Sequence, residues 1–168
     1  MQRDSATSHA MGIILMVVIT LIVGAIFVAM ILSMPLLQYS FTPTIFTITS
    51  IESADEITQQ LNHDSRVIIL HTGTAIYQNK NLKAQFYKNG VQVNANIGTM
   101  NGHDFISTSH TGVQWMGGMG CSGATWTPGE MTGIDFSDGT FHPGDSVRVD
   151  IIDKSTNQVI SRHVYRME

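Results

Sequence analysis

From Ala10 to Leu37 the chain reads AMGIILMVVITLIVGAIFVAMILSMPLL, without one charged side chain. As a helix this run would be ~42 Å long at ~1.5 Å per residue, against ~30 Å of bilayer hydrocarbon. It would be apolar on every face, so it has to lie in lipid or among other apolar helices. Its interruptions are few: Gly12, Thr20, Gly24, Ser33 and Pro35. Thr7 or Ser8 can cap the first turn, and Pro35 is a stop or a kink. The polar start, MQRDSATSHA, carries one base, Arg3, and one acid, Asp4. The apolar run exceeds the ~7–15-residue core of a secretory signal, and no Ala-x-Ala step follows it. Taken alone, these residues read as an uncleaved signal anchor with its N-terminus inside, Arg3 being a weak marker of that orientation.

Beyond the run the texture changes. The 168 residues allow the helix and one further domain of ordinary size. TIFTITSI from Thr44 predicts a first strand, and RVIILH from Arg66 a buried second one. The polar residues from Glu52 to Ser65 between them predict a loop or short helical turn. In Leu82–Gly98, Leu82, Ala84 and Phe86 alternate with polar partners, then Asn89-Gly90, then Val91, Val93, Ala95 and Ile97 alternate again. That predicts a hairpin with a type I′ turn, because both turn residues tolerate positive φ. Thr99–Gly123 is rich in Gly and reads as a long loop with one short strand at Asp104–Ser107. Trp126-Thr-Pro-Gly-Glu130 is a turn, Met131–Phe136 a strand, and Pro143-Gly-Asp145 another turn. Ser146–Ile152 puts Val147, Val149 and Ile151 on one face, and Gln158–Tyr165 returns as the last strand. Seven or eight short strands separated by turns predict an antiparallel β-sandwich of immunoglobulin-like kind. The expected class is α+β: a long hydrophobic N-terminal α-helix, then the sandwich.

Composition removes several functions. Net charge is -4 with His neutral, so there is no basic footprint for nucleic acid. Cys121 is the single cysteine, which leaves no disulfide within the chain and no multi-cysteine metal site. His63, His71, His103, His110, His142 and His163 show neither a His-x₃-His pair nor a His-Glu-x-x-His pattern, so no metal is expected. No Gly-x-Ser-x-Gly elbow exists, and GGMGCSG lacks the Lys of a phosphate loop. No catalytic residue and no cofactor are expected. The segment Trp115-Met116-Gly-Gly-Met119-Gly-Cys121 is either a surface patch for adhesion or subunit contact, or a packed loop over one end of the sandwich. Trp and Met usually bury, which favours the second, and Cys121 reads as a small buried hydrophobe before it reads as an intersubunit link.

The residues from Asp4 to Thr20, DSATSHAMGIILMVVIT, resemble the N-terminus of archaeal type IV pilins. The likeness rests on Asp4, Ala6, Ser8, Gly12, the run Ile14-Leu15-Met16-Val17, Ile19 and Thr20. His71-Thr-Gly73, the Asn-Gly turn, the Trp-x-Pro-Gly-Glu turn and the closing Gly-Asp-x-Val strand extend it over nearly the whole chain. His9 stands where the family usually has Pro, and Thr74-Ala75 where Gly-Asp often follows. The resemblance implies a leader of residues 1–6 removed by a prepilin-type peptidase between Ala6 and Thr7. It implies a membrane and filament-core helix over 7–38 and an extracellular β-sandwich over 39–168. The helix then packs against copies of itself through positions such as Gly12, Leu15, Val17, Ile22, Gly24, Ala25 and Ala29, the small ones allowing close approach. A pilus assembly ATPase and its membrane platform are the implied partners. The product is a homo-oligomeric helical filament on the cell surface, serving adhesion or cell contact. Two alternatives stay open: a single-span anchored ectodomain that never polymerises, and a minor pilin that primes or caps another subunit's filament.

Overall fold

The computed structural model describes residues 4–33, 42–55, 57–106 and 111–168. It divides into two units, an N-terminal helix and a β domain from Thr42 to Glu168. Helix α1 runs Asp4–Ser33, three residues ahead of the expected start at Thr7. Pro35, the expected end at residue 38, Glu56, Ser107 and His110 lie outside the described residues.

The β domain holds β1 (Phe46–Ala54), β2 (Leu61–His71), β3 (Tyr77–Gln78), β4 (Leu82–Lys88), β5 (Val91–Gln92) and β6 (Val113–Gly117). The four-residue helix α2 (Met119–Ser122) follows, then β7 (Thr125–Trp126), β8 (Met131–Phe136), β9 (Ser146–Asp153) and β10 (Gln158–Arg166). Two antiparallel sheets result, in the orders β1-β2-β8-β6 and β10-β9-β4-β5, with β3 and β7 forming a small ribbon. Lettered along the chain, the eight sheet strands give A-B-E-D and G-F-C-C′, the strand order of immunoglobulin domains. The α+β class expected from the sequence is the class observed.

The core lies between the sheets. Val147, Val149 and Ile151 are fully buried, as their alternation predicts, and face Val67, Ile69 and Ile134 of the other sheet across one cluster. Phe86, Phe136 and Phe141 meet edge to face at 4.8 and 5.2 Å. Phe46 and Trp126 stack at 4.4 Å between ring centroids, with His71 and Tyr77 beside them. Such aromatic pairs hold more than their buried area alone would give.

Asn89 (φ 51°) and Gly90 (φ 85°) make the hairpin turn in the left-handed region that a type I′ turn requires. The second arm is shorter than expected: pairing stops at Gln92, Val91 is exposed, and Ile97 returns only as a bridge to Ala84. Residues 52–65 are a correction. β1 continues to Ala54 and β2 starts at Leu61, so most of the expected loop is sheet. His63 (φ 56°) and Ser65 (φ 62°) twist β2 there, and Asp64 and Ser65 are buried side by side, which hides the alternation. The strand expected at Asp104–Ser107 is not formed by its described residues. Asn101 instead bonds the Asp104 carboxylate and the His103 amide, a turn that competes with extended structure. The sheet strand in this Gly-rich region is β6.

Candidate functional site

Every side chain of α1 from Ala10 to Leu32 is exposed, and this stretch is long and apolar enough to cross a membrane. Nothing stands within 4 Å of a Cβ placed at Gly12 or Gly24. At 100° per residue, Leu15, Ile22, Ala25 and Ala29 share one side of the helix with Gly12 nearby, while Val17 and Gly24 lie opposite. The expected packing positions therefore occupy two faces. Thr20 satisfies its hydroxyl on the Met16 carbonyl at 2.8 Å, so it brings no unpaired donor into the apolar run. The Ala6–Thr7 bond lies inside the helical span.

The Trp115 segment splits. Trp115 and Met119 are 48 % and 71 % exposed, whereas Met116 and Cys121 are buried, so neither of the latter two can belong to a surface patch. Alternation explains Met116, which faces the core from β6. Cys121 is packed through α2, where its carbonyl accepts from the Gly102 amide at 2.8 Å; burial pushes its thiol up from the ordinary value. Gly120 admits no side chain because Trp126 Nε1 and Thr132 Oγ1 stand 2.3 and 2.6 Å from where a Cβ would be. The Trp115 ring lies over Gly117 and Gly133, cross-strand neighbours whose missing side chains give it a floor. Arg66 sits 5.4 Å from the ring centre on the same face.

The histidines scatter. His71 is buried, its Nδ1 accepting from the Gly73 amide at 3.0 Å and its Nε2 2.7 Å from the Ala75 carbonyl. A Cβ at Gly73 would meet Ile45 at 2.5 Å, so His71-Thr-Gly73 is a packing unit. His63 and His142 stack at 4.6 Å. Among the described residues, no group of three His, Cys, Asp or Glu side chains converges in a way that could hold a metal.

Sequence reasoning missed Ser161 and His163. They point inward from β10 and replace a backbone partner along the free edge of β1. Ser161 Oγ accepts from the amides of Ile45 and Phe46, both at 2.9 Å, and His163 Nδ1 accepts from Ile48 at 3.1 Å. The two sheets are joined there by side chains. The only signal in the sequence is a Ser and a His at inward positions of an otherwise apolar-facing strand. Burial holds the His163 pKa below its ordinary 6.5. The unfolded chain therefore takes the proton more readily, and the stabilisation is present above about pH 6.5 and is lost as pH falls towards the folded value. Unfolding midpoints measured between pH 7.5 and 5 should fall with acid. The His163→Gln variant should show a shallower fall across that window, and an unchanged slope would contradict the assignment.

No protein-family model matches the chain, and no curated protein does. Among solved structures it is similar to the archaellum periplasmic stator protein FlaG from Sulfolobus acidocaldarius, at 11 % identity and TM-score 0.40, over 71 % of this chain and 95 % of that one. It is also similar to the archaellum periplasmic stator protein complex FlaF and FlaG from Sulfolobus acidocaldarius, at 11 % identity and TM-score 0.42, over 76 % and 92 %. At such values neither likeness says what this chain does.

Proposed function

We propose that this chain is a pilin-like structural protein, anchored by α1 as a single membrane span and holding its sandwich outside the membrane. One observation carries the reading: α1 is exposed and apolar all round, while the β domain closes a core of its own. A free helix of that kind is not tolerated by water, and lipid is the medium that satisfies it without a partner. The protein then acts by binding or by structure, with no catalytic role.

A second reading adds assembly. After removal of residues 1–6, α1 leaves the membrane for a filament core and the protein becomes a major or minor pilin for adhesion or cell contact. The residue order from Asp4 to Thr20 favours it, as do the open surfaces at Gly12 and Gly24. Shedding Arg3 and Asp4 has a physical motive, because charges beside packed apolar helices cost roughly several kcal/mol each.

N-terminal sequencing of the protein from its native membranes separates the two. A mature chain beginning at Thr7, with the protein recovered in surface filaments by electron microscopy, is expected for the pilin. Retention of Gln2 and Arg3 is expected for the plain anchor. A cut beyond Pro35 would refute both, since the helix would then be a discarded signal.

A further inference from the structure

The outer faces of the two sheets carry opposite charge. On the β10-β9-β4-β5 sheet, Lys83, Arg148, Arg162 and Arg166 project outward on the same face as one carboxylate, Asp150, which Arg148 and Arg162 flank. Four of the nine Lys and Arg residues in the chain stand there, although its net charge is -4. Asp150 is 2 % exposed and orders the cluster: Arg162 grips it with two bonds of 2.7 Å, and Arg148 Nε lies 3.4 Å away. Arg148 is also held flat over Tyr87, 3.7 Å from the ring centre. On the β1-β2-β8-β6 sheet the signs reverse. Glu52, Asp64 and Asp135 surround one guanidinium, Arg66, at 3.8–4.0 Å. Beside it lies the half-exposed Trp115, as the half-exposed Val164 lies beside Arg148.

Each face thus carries a net charge, ordered by one residue of the other sign, with an exposed apolar side chain beside it; on the acidic face Glu52 is the exposed acid, while Asp64 and Asp135 are buried against Arg66. That is the make-up of a specific protein interface: large amphipathic side chains for contact, and complementary charge for orientation and exclusion of wrong partners. We propose that the surface that fits the basic face is the acidic face of a second copy of this chain. Like faces repel, so a two-fold pairing is disfavoured. The contact is head to tail, and because the faces lie on opposite sides of the sandwich it can repeat from copy to copy. It needs only the β domain, so it applies to anchored copies side by side in a membrane and to subunits in a filament alike. Its failure would leave the anchoring reading untouched.

Charge reversal tests it on the full chain in neutral lipid vesicles, with self-association read as amine-to-amine cross-linking, which neither variant depletes of reactive groups. Wild-type chains should cross-link at 0.1 M salt and much less at 1 M, as the screening length shortens from ~10 to ~3 Å. Glu52→Lys alone leaves the acidic face without net charge, two acids against two bases, and Arg166→Glu alone strips charge of the required sign from the basic face. Each should weaken association about tenfold, the equivalent of one reversed close pair. Mixing the two variants should restore it, since each then offers the face the other lacks; a misfolded variant could not be rescued so. Singles that cross-link like wild type, or a mixture that stays monomeric, would overturn the proposal. Binding to anionic vesicles that is lost in Arg166→Glu, indifferent to Glu52→Lys and unaccompanied by self-association would assign the basic face to lipid instead.

Discussion

Val17→Asp is expected to leave the β domain folded, to weaken the hold of α1 on the membrane and to remove the chain from any filament. Val17 lies mid-run in α1, exposed and with apolar neighbours on every side. An acid at the centre of a span costs on the order of 2.5–3.5 kcal/mol for insertion, about two orders of magnitude in the partition. Among packed helices it would also lack both water and a counter-charge. Ile22→Lys, on the other side of the helix, should act alike. Extraction of the membrane pool after fractionation of cells reads the first effect, and electron microscopy the second. Val17→Asp as resistant to extraction from the membrane as wild type would mean that position 17 does not sit at the centre of a span. Normal filaments from that variant would show that this face stays out of a filament core.

Trp126→Ala is expected to cost about 3–5 kcal/mol of β-domain stability, the usual range for truncating a buried Trp. Trp126 is fully buried and stacks on Phe46, and its indole N–H donates to the Glu130 carbonyl at 3.0 Å. Truncation opens a cavity beside His71 and beneath Gly120, and it leaves the Glu130 carbonyl without that donor. A domain whose stability is of order 5–15 kcal/mol would lose a large part of it. Trp115→Ala is the internal control. Its ring covers two glycines and meets Arg66 from the solvent side, an exposed cation–π contact of ~0.5–1 kcal/mol. Denaturant unfolding of the two variants should separate them clearly. Equal losses would mean that the two tryptophans do not differ in burial as described.

Trp115 and Trp126 show how far the candidate site could be read in advance. One stands in the Gly-rich stretch and the other opens a Pro-Gly turn just after it, and neither setting says which of them is buried. A bulge in β6 between Val113 and Trp115 turns the first outward, and the β3–β7 ribbon carries the second into the core. Met116 and Cys121, grouped with Trp115 by their neighbourhood in sequence, are separated from it, the first by alternation along β6 and the second by α2. The acidic and basic faces were hidden for a related reason. Glu52, Asp64 and Asp135 come from three strands, and Lys83, Arg148 and Arg166 from three others, so no window along the chain contains either cluster.

The sequence alone determined what depends on nearest neighbours. An uncharged apolar run specifies α1, because hydropathy along a helix is a one-dimensional property. Asn89-Gly90 specifies its turn, because positive φ is a cost each residue meets by itself. Val147, Val149 and Ile151 specify a buried face, because a strand has period two. Only the tertiary structure decided what depends on partners. β2 reaches back to Leu61 because Ala54 of β1 is there to pair with it, even though His63 and Ser65 take positive φ against their own preference. The free edge of β1 is closed by Ser161 and His163, more than a hundred positions away in the chain, because buried amides must find acceptors and the folded chain supplies these. Which outer face became acidic and which basic was settled in the same way, by strand order, a property no single strand contains.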